Sequence, residues 1–206
     1  MFLHIIRTIP FSFFYNKLNN TLENIQPKKL ALNSVALFHA SSTVLIGLSF
    51  ILKYSSASLI QMNTGGYLLF DIYYMIKVGN YDLLRIMYLY HHIVVYPYML
   101  LSSTIYHWPQ VIFYAELSNI PNYIVYYSLK QDKSKNISDT YKSIETKFLL
   151  KVQMYFYAFF RIFVLGYYGL LELNNEDEIP IVIYFTSMLY VFGLVWFGAM
   201  VKQNCK

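Results

Sequence analysis

Apolar residues come along this chain in long, charge-poor runs separated by short polar breaks. A run of about 20 such residues, rising 1.5 Å each as a helix, crosses the ~30 Å of hydrocarbon in a bilayer. Six runs of this kind predict six spanning helices, over about 30–52, 59–78, 85–106, 108–129, 148–171 and 180–201. The first, Leu30–Leu52, carries no charged residue over 23 positions. The fourth opens on Trp108-Pro109, a proline well suited to a first helical turn. Residues 1–29 precede the runs. Their apolar positions are too few to span and are interrupted by Pro10, which predicts an N-terminal interfacial helix or a targeting segment. The polar stretch Lys130–Lys147 is the longest loop, and a short acidic turn with Glu172, Glu176, Asp177 and Glu178 joins the last two spans. Residues 203–206 form a tail.

Composition agrees with this pattern. Of 206 residues, 57% are hydrophobic and 13% charged, against about 25% charged in soluble domains. The predicted fold class is therefore all-α and polytopic, a single membrane domain. Cys205, the one cysteine, excludes an intrachain disulfide. The net charge of +5 does not point to nucleic acid, because the basic residues form no single patch. Their placement instead orients the chain. With six spans, fourteen of the sixteen Lys and Arg fall on the side of the termini and of the 2–3 and 4–5 loops. Only Lys53 falls opposite, and Arg161 lies inside a span. Cytoplasmic or matrix loops collect such charges, so both termini are expected on that side. The sequons at Asn19 and Asn136 would then face away from glycosylation. The acid-free start of the chain, with Arg7 and Lys17, leans the localisation toward the mitochondrial inner membrane over the endoplasmic reticulum.

Ionisable groups inside a bilayer are costly and call for a partner or a function. Five predicted spans carry them: His39, Asp71, the pair His91-His92, Glu116 and Arg161; Asn122 follows Pro121 in the fourth. From the rise per residue, Asp71, His91, His92 and Asn122 lie ~9–10 Å below the basic surface, His39 ~14 Å and Arg161 ~20 Å. Asp71 shares a helix face with Tyr67 and Tyr74, His92 with Tyr88 and Tyr96, and Arg161 with Tyr157 and Tyr168. Turning these stripes inward makes a ring of helices around a partly polar core, with Pro97 and Pro121 bending two walls. Adjacent histidines cannot chelate from one helix face, so no metal site is expected. Arg161 is expected to neutralise Glu116 or Asp71, since an unpaired charge is costly there.

The segments "SVALFHASS", "GGYLLFDIYYM", "YLYHHIVVY", "AELSNIPNYIVYYSL", "FFRIFVLGYYG" and "LYVFGLVWFGAMVKQ" follow one another in the order seen in TLC-domain proteins, and residues 30–202 resemble that family. The family includes ceramide synthases and translocating-chain-associating membrane proteins. The resemblance implies a barrel-like bundle of six helices around a lipid-sized cavity, with His39, Asp71, His91, His92 and Arg161 at motif positions. Ceramide synthases carry a His-Asp dipeptide and a further aspartate after the histidine pair. Here "AELSNIPNYIVYYSL" has neither, so the resemblance points to the small, non-synthase members.

The expected function is accordingly non-enzymatic: a phospholipid or sphingolipid held in the bundle, with no other cofactor. The chain would serve as an accessory subunit of a larger membrane assembly, its partners being membrane lipid and neighbouring subunits. The alternative is a lipid-modifying, acyltransferase-like enzyme with His91 or His92 as base or nucleophile and Asp71 orienting it. A transporter using Arg161, Glu116 and Asp71 as a charge relay ranks lowest, as paired broken helices are not evident.

Overall fold

A computed structural model of the chain describes residues 2–79, 83–101, 107–135, 142–174 and 180–204. The acidic residues Glu176, Asp177 and Glu178, the side chain of Glu172, Asn136 and Cys205 lie outside the described residues.

The described chain is all-helical. Its elements are α1 (Phe2–Glu23), α2 (Lys28–Ile51), α3 (Ala57–Val78), α4 (Leu83–Leu101), α5 (Trp108–Ser134), α6 (Ile144–Tyr157), a π-helical segment (Ala158–Val164), α7 (Leu165–Leu173) and α8 (Pro180–Asn204). α6, the π-helical segment and α7 run on without a break. Each predicted run overlaps a helix whose bounds differ by a few residues, the end of the third run, 102–106, lying outside the described residues. Among the described residues, two stretches, Lys28–Ile51 and Ile144–Leu171, are long and apolar enough to cross a membrane. α3 and α5 owe their lower apolarity to polar residues in mid-helix, notably Gln61, Asn63, Thr64 and Asp71 on α3 and Glu116, Asn119 and Asn122 on α5.

Two expectations change. The loop after the fourth run is shorter than Lys130–Lys147, because α5 continues to Ser134. Asp132 anchors that extension by accepting from the Ser143 backbone N–H (3.0 Å) and hydroxyl (3.1 Å). Ser143 in turn caps α6, its hydroxyl accepting from the Thr146 N–H at 3.2 Å.

The larger change concerns α1. Pro10 does not interrupt it: the helix is continuous for 22 residues and packs on α3. It runs in the same direction as α3. Thr8 meets Gly65, Phe11 meets Gly66, and Glu23 accepts a hydrogen bond from Tyr74 at 3.1 Å. The glycines make this approach possible. A Cβ on Gly66 would lie 2.2 Å from Phe11 Cβ, and one on Gly65 2.7 Å from Thr8 Cγ2. Tyr15, Asn19 and Thr8 are buried in the contact, whereas Phe13, Phe14, Ile6 and Ile9 are exposed on the outer face. An isolated interfacial helix would leave no such buried face. At the other end of the chain, Lys142 donates to the Gln203 carbonyl and Asn204 to that of Leu150. Phe2 and Asn204 thus lie at opposite ends of the bundle.

A polar seam ties α1, α2 and α3 together. The Tyr15 hydroxyl donates to Asn63 Oδ1 at 2.6 Å, and the Asn63 amide donates to Thr43 (2.9 Å) and Ser42 (3.0 Å). Nearby, the Gln61 amide donates to the Met99 carbonyl at 2.7 Å, joining α3 to α4. An apolar cluster of Ile60, Leu68, Val95, Tyr98, Met99, Trp108 and Ile112 closes one end of the bundle.

Candidate functional site

The helices enclose a cavity of about 960 Å³. That is near the top of the range for small-molecule sites, about 300–1,000 Å³. Its lining is graded along the helices. The ends of α1 and α3 and the starts of α2 and α4 contribute Lys28, Lys29, Lys77 and Arg85, with Glu23 and Asn20 beside them. One to two turns further along α3 and α4 come Asp71, Tyr67, Tyr88, His91 and His92, facing Glu116, Asn119 and Tyr123 of α5. Beyond these the wall turns apolar, with Val95, Ile112, Leu165 and Leu189. The cavity is therefore basic at one end, polar at the middle and greasy at the far end.

Two histidine–carboxylate pairs form the middle zone. His92 Nδ1 lies 2.9 Å from Asp71 Oδ2, with both side chains largely buried. His39 Nε2 lies 3.5 Å from Glu116 Oε1. Neither histidine nitrogen makes a well-directed hydrogen bond in these contacts. The His39 ring stacks on Tyr67, centroids 4.0 Å apart and planes 6° apart. Tyr67 is edge-on to His92 at 6.4 Å. One aromatic ring thus separates the two pairs.

The sequence-selected residues take different places. Asp71, His91, His92, Glu116 and Arg161 line the cavity. His39 is fully buried behind Tyr67 and reaches the cavity wall only through Glu116. Asn122 is off the cavity; Asn119, one turn earlier, lines it instead. His91 turns from Asp71 and sits edge-on to Trp196 (5.0 Å) and Phe192 (5.7 Å) of α8. The expected neutralisation by Arg161 is not made. Asp71 and Glu116 already have histidines, and the Arg161 guanidinium instead lies 5.8 Å from the Tyr157 ring centroid.

Sequence reasoning missed Tyr15, Asn63 and Thr43, whose hydroxyl and amide groups hold the seam behind His39. A polar residue every turn or so on α3 was the available signal, but it was read as part of the span. It also missed the π-helical segment, which has no composition of its own. Among the described residues, no group of three or more His, Cys, Asp or Glu is placed to hold a metal ion.

No protein-family model, curated protein or solved structure matches the chain.

Proposed function

We propose that this chain is a polytopic membrane protein that holds one amphiphilic lipid inside its helical bundle, as the TLC-type resemblance implies. The observation that carries this reading is the gradient of the cavity wall, basic at Lys28, Lys29, Lys77 and Arg85 and apolar at Val95, Ile112, Leu165 and Leu189. A lipid is graded in the same sense, with a polar head and a hydrocarbon tail. Large apolar side chains exposed on several helices, Phe13, Leu45, Phe148 and Phe163 among them, support a hydrocarbon surround. On this reading α2, α3, α4, α5, the continuous α6–α7 and α8 all cross the bilayer. The polar residues of α3 and α5 are then tolerable where they are paired inside the bundle, as Gln61 and Asn63 are, or line the cavity, as Asp71, Glu116 and Asn119 do.

The lipid-holding reading is tested by extracting the chain in mild detergent and weighing it by native mass spectrometry. One retained lipid per chain is the expected result, and a lipid-free chain with an intact fold would rule the reading out. The accessory-subunit form of the proposal, in an inner-mitochondrial assembly, adds that the chain migrates on a native gel with stoichiometric partners. Migration at its own mass plus detergent removes that form.

A second reading has one observation in its favour, the His92–Asp71 contact on the wall of a lipid-sized cavity. A carboxylate at this distance, once brought into line with the ring nitrogen, can hold an imidazole in the tautomer and orientation needed for acid–base or nucleophilic work on a lipid carbonyl. His92→Ala then abolishes lipid turnover without unfolding the chain, and a variant that turns lipid over at the wild-type rate defeats it.

A further inference from the structure

Each carboxylate of the cavity's middle zone is matched to a histidine, but Arg161 has no carboxylate partner among the described residues. It stands in the π-helical segment, an insertion often found where a helix serves a function. Its stem passes over Gly193 of α8, where a Cβ would come 3.3 Å from Arg161 Cγ. Further polar atoms of the α4, α6 and α8 walls are buried without a hydrogen-bond partner: His91 Nδ1, Tyr157 OH and Trp196 Nε1. Tyr157 is 1% exposed and its hydroxyl is 4.0 Å from the same Gly193 Cβ position. The cation and these unused groups occupy one side of the cavity region. Arg161 also stands at a boundary. Leu165, Tyr168 and Gly169, which follow it by one to two turns, line the apolar part of the same wall.

A guanidinium inside a helical bundle with no carboxylate in direct contact, its charge only reaching Glu116 from farther off, is expensive. Its planar fork matches the two oxygens of a carboxylate or phosphate. We propose that Arg161 is the seat of an anionic oxygen group on the bound amphiphile, a carboxylate or phosphate carried by an acyl chain. The tail then runs along Leu165 and Gly169. The site selects acidic amphiphiles over zwitterionic ones by supplying, deep in the bundle, a cation that no carboxylate among the described residues contacts. This inference rests on the lipid-holding reading and specifies the class of lipid.

The test uses the full chain in detergent, with thermal unfolding followed against oleate, dioleoyl phosphatidic acid, dioleoyl phosphatidylcholine and inorganic phosphate. The wild type is expected to be stabilised at lower concentrations of oleate or phosphatidic acid than of phosphatidylcholine. Which acid is preferred identifies carboxylate or phosphate as the bound group. Stabilisation by inorganic phosphate alone overturns the proposal, as it needs no acyl chain. Arg161→Gln is expected to raise the half-saturating concentration of the preferred acid by about tenfold or more, the loss of a charged hydrogen-bond partner, and to leave phosphatidylcholine unchanged. Lys151→Gln, the same charge change at an exposed position of α6 off the cavity, is expected to do neither. Should Arg161→Gln fail to fold, Arg161→Lys keeps the charge and loses the fork, and a several-fold weakening with the preferred acid is expected of it. Equal responses to acidic and zwitterionic lipids, or responses of the Arg161 variants equal to the wild type, overturn the proposal. No response of the wild type to any lipid overturns the lipid-holding reading itself.

Discussion

Asn63 shows how a single side chain can be indispensable to three helices. It accepts from Tyr15 on α1 and donates to Ser42 and Thr43 on α2, all at 2.6–3.0 Å and with Asn63 itself 5% exposed. Leucine has nearly the same volume and none of these bonds. Asn63→Leu takes from the Tyr15 hydroxyl its short acceptor and leaves it only the longer 3.4 Å contact to His39 Nδ1, and a buried polar group left poorly satisfied costs up to about 1–3 kcal/mol. The expected outcome is a clear drop in thermal midpoint in detergent, larger than that of Asn33→Leu. Asn33 is only partly buried and makes one longer bond, donating to the Tyr123 carbonyl at 3.2 Å. Equal midpoints for the two variants would show that the seam contributes little. The polar residues inside the helices were legible one by one, since an ionisable group in an apolar run stands out. Their pairing was not. Which carboxylate meets which histidine depends on helix rotation, and a rotation of one residue exchanges His91 for His92.

At the scale of elements, the apolar runs marked the helices because the polar breaks between the runs fall close to where the helices end. The end of α5 was read short because Lys130–Ser134 are polar, and polarity is also what a helix shows once it leaves hydrocarbon. What holds that end is Asp132, 7% exposed. Burial works against its charge, but hydrogen bonds from Thr146 and from the Ser143 N–H and hydroxyl outweigh this and hold the carboxyl below its ordinary value of 3.8. A carboxyl depressed by folding adds stability above its unfolded value, and that stability is lost as pH falls through the folded one. Amide hydrogen exchange at Ser143 and Thr146 is therefore expected to be slow near neutrality and to lose its protection below about pH 4. Asp132→Asn should show weaker protection already at neutral pH. Protection that is the same in both forms at all pH values would free Asp132 from this role. The π-helical segment was invisible to the sequence for a different reason: its residues are those of any apolar helix and carry no mark of the wider turn.

The position of α1 is a property of the whole molecule, and it bears on the orientation the sequence suggested. Its 22 residues reach about 33 Å as a helix, enough to cross hydrocarbon. One face is buried on α3, and the opposite face exposes Ile6, Ile9, Phe13 and Phe14. Asn16, Asn20 and Glu23 line the cavity near its basic end. Because α1 and α3 run the same way, α1 enters the bundle from the end remote from Lys28, Lys77 and Arg85. Only Arg7 then joins Lys53 on the charge-poor side, so the bias of basic residues toward the opposite end of the bundle survives the change. The sequon at Asn19 stays unmodifiable on this placement too, as its side chain is 1% exposed and donates to Glu23 at 2.8 Å. Seven crossings put the two termini on opposite faces of the membrane, whereas six with an interfacial α1 put them on the same face. Tags placed before Phe2 and after Lys206 separate these arrangements in sealed vesicles, where protease reaches one of them from outside only in the first case. The contact that decides it can be removed independently. Gly66→Leu drives a side chain into the Phe11 backbone, 3.0 Å from the Cβ position, and overpacking of this kind costs about 1–3 kcal/mol or more. With α1 displaced from α3, the N-terminal tag is expected to lose its single-sided protection while the C-terminal tag keeps its own. If both tags are cut from the same side in the wild type, α1 lies in the interface after all and its buried face is covered without a crossing.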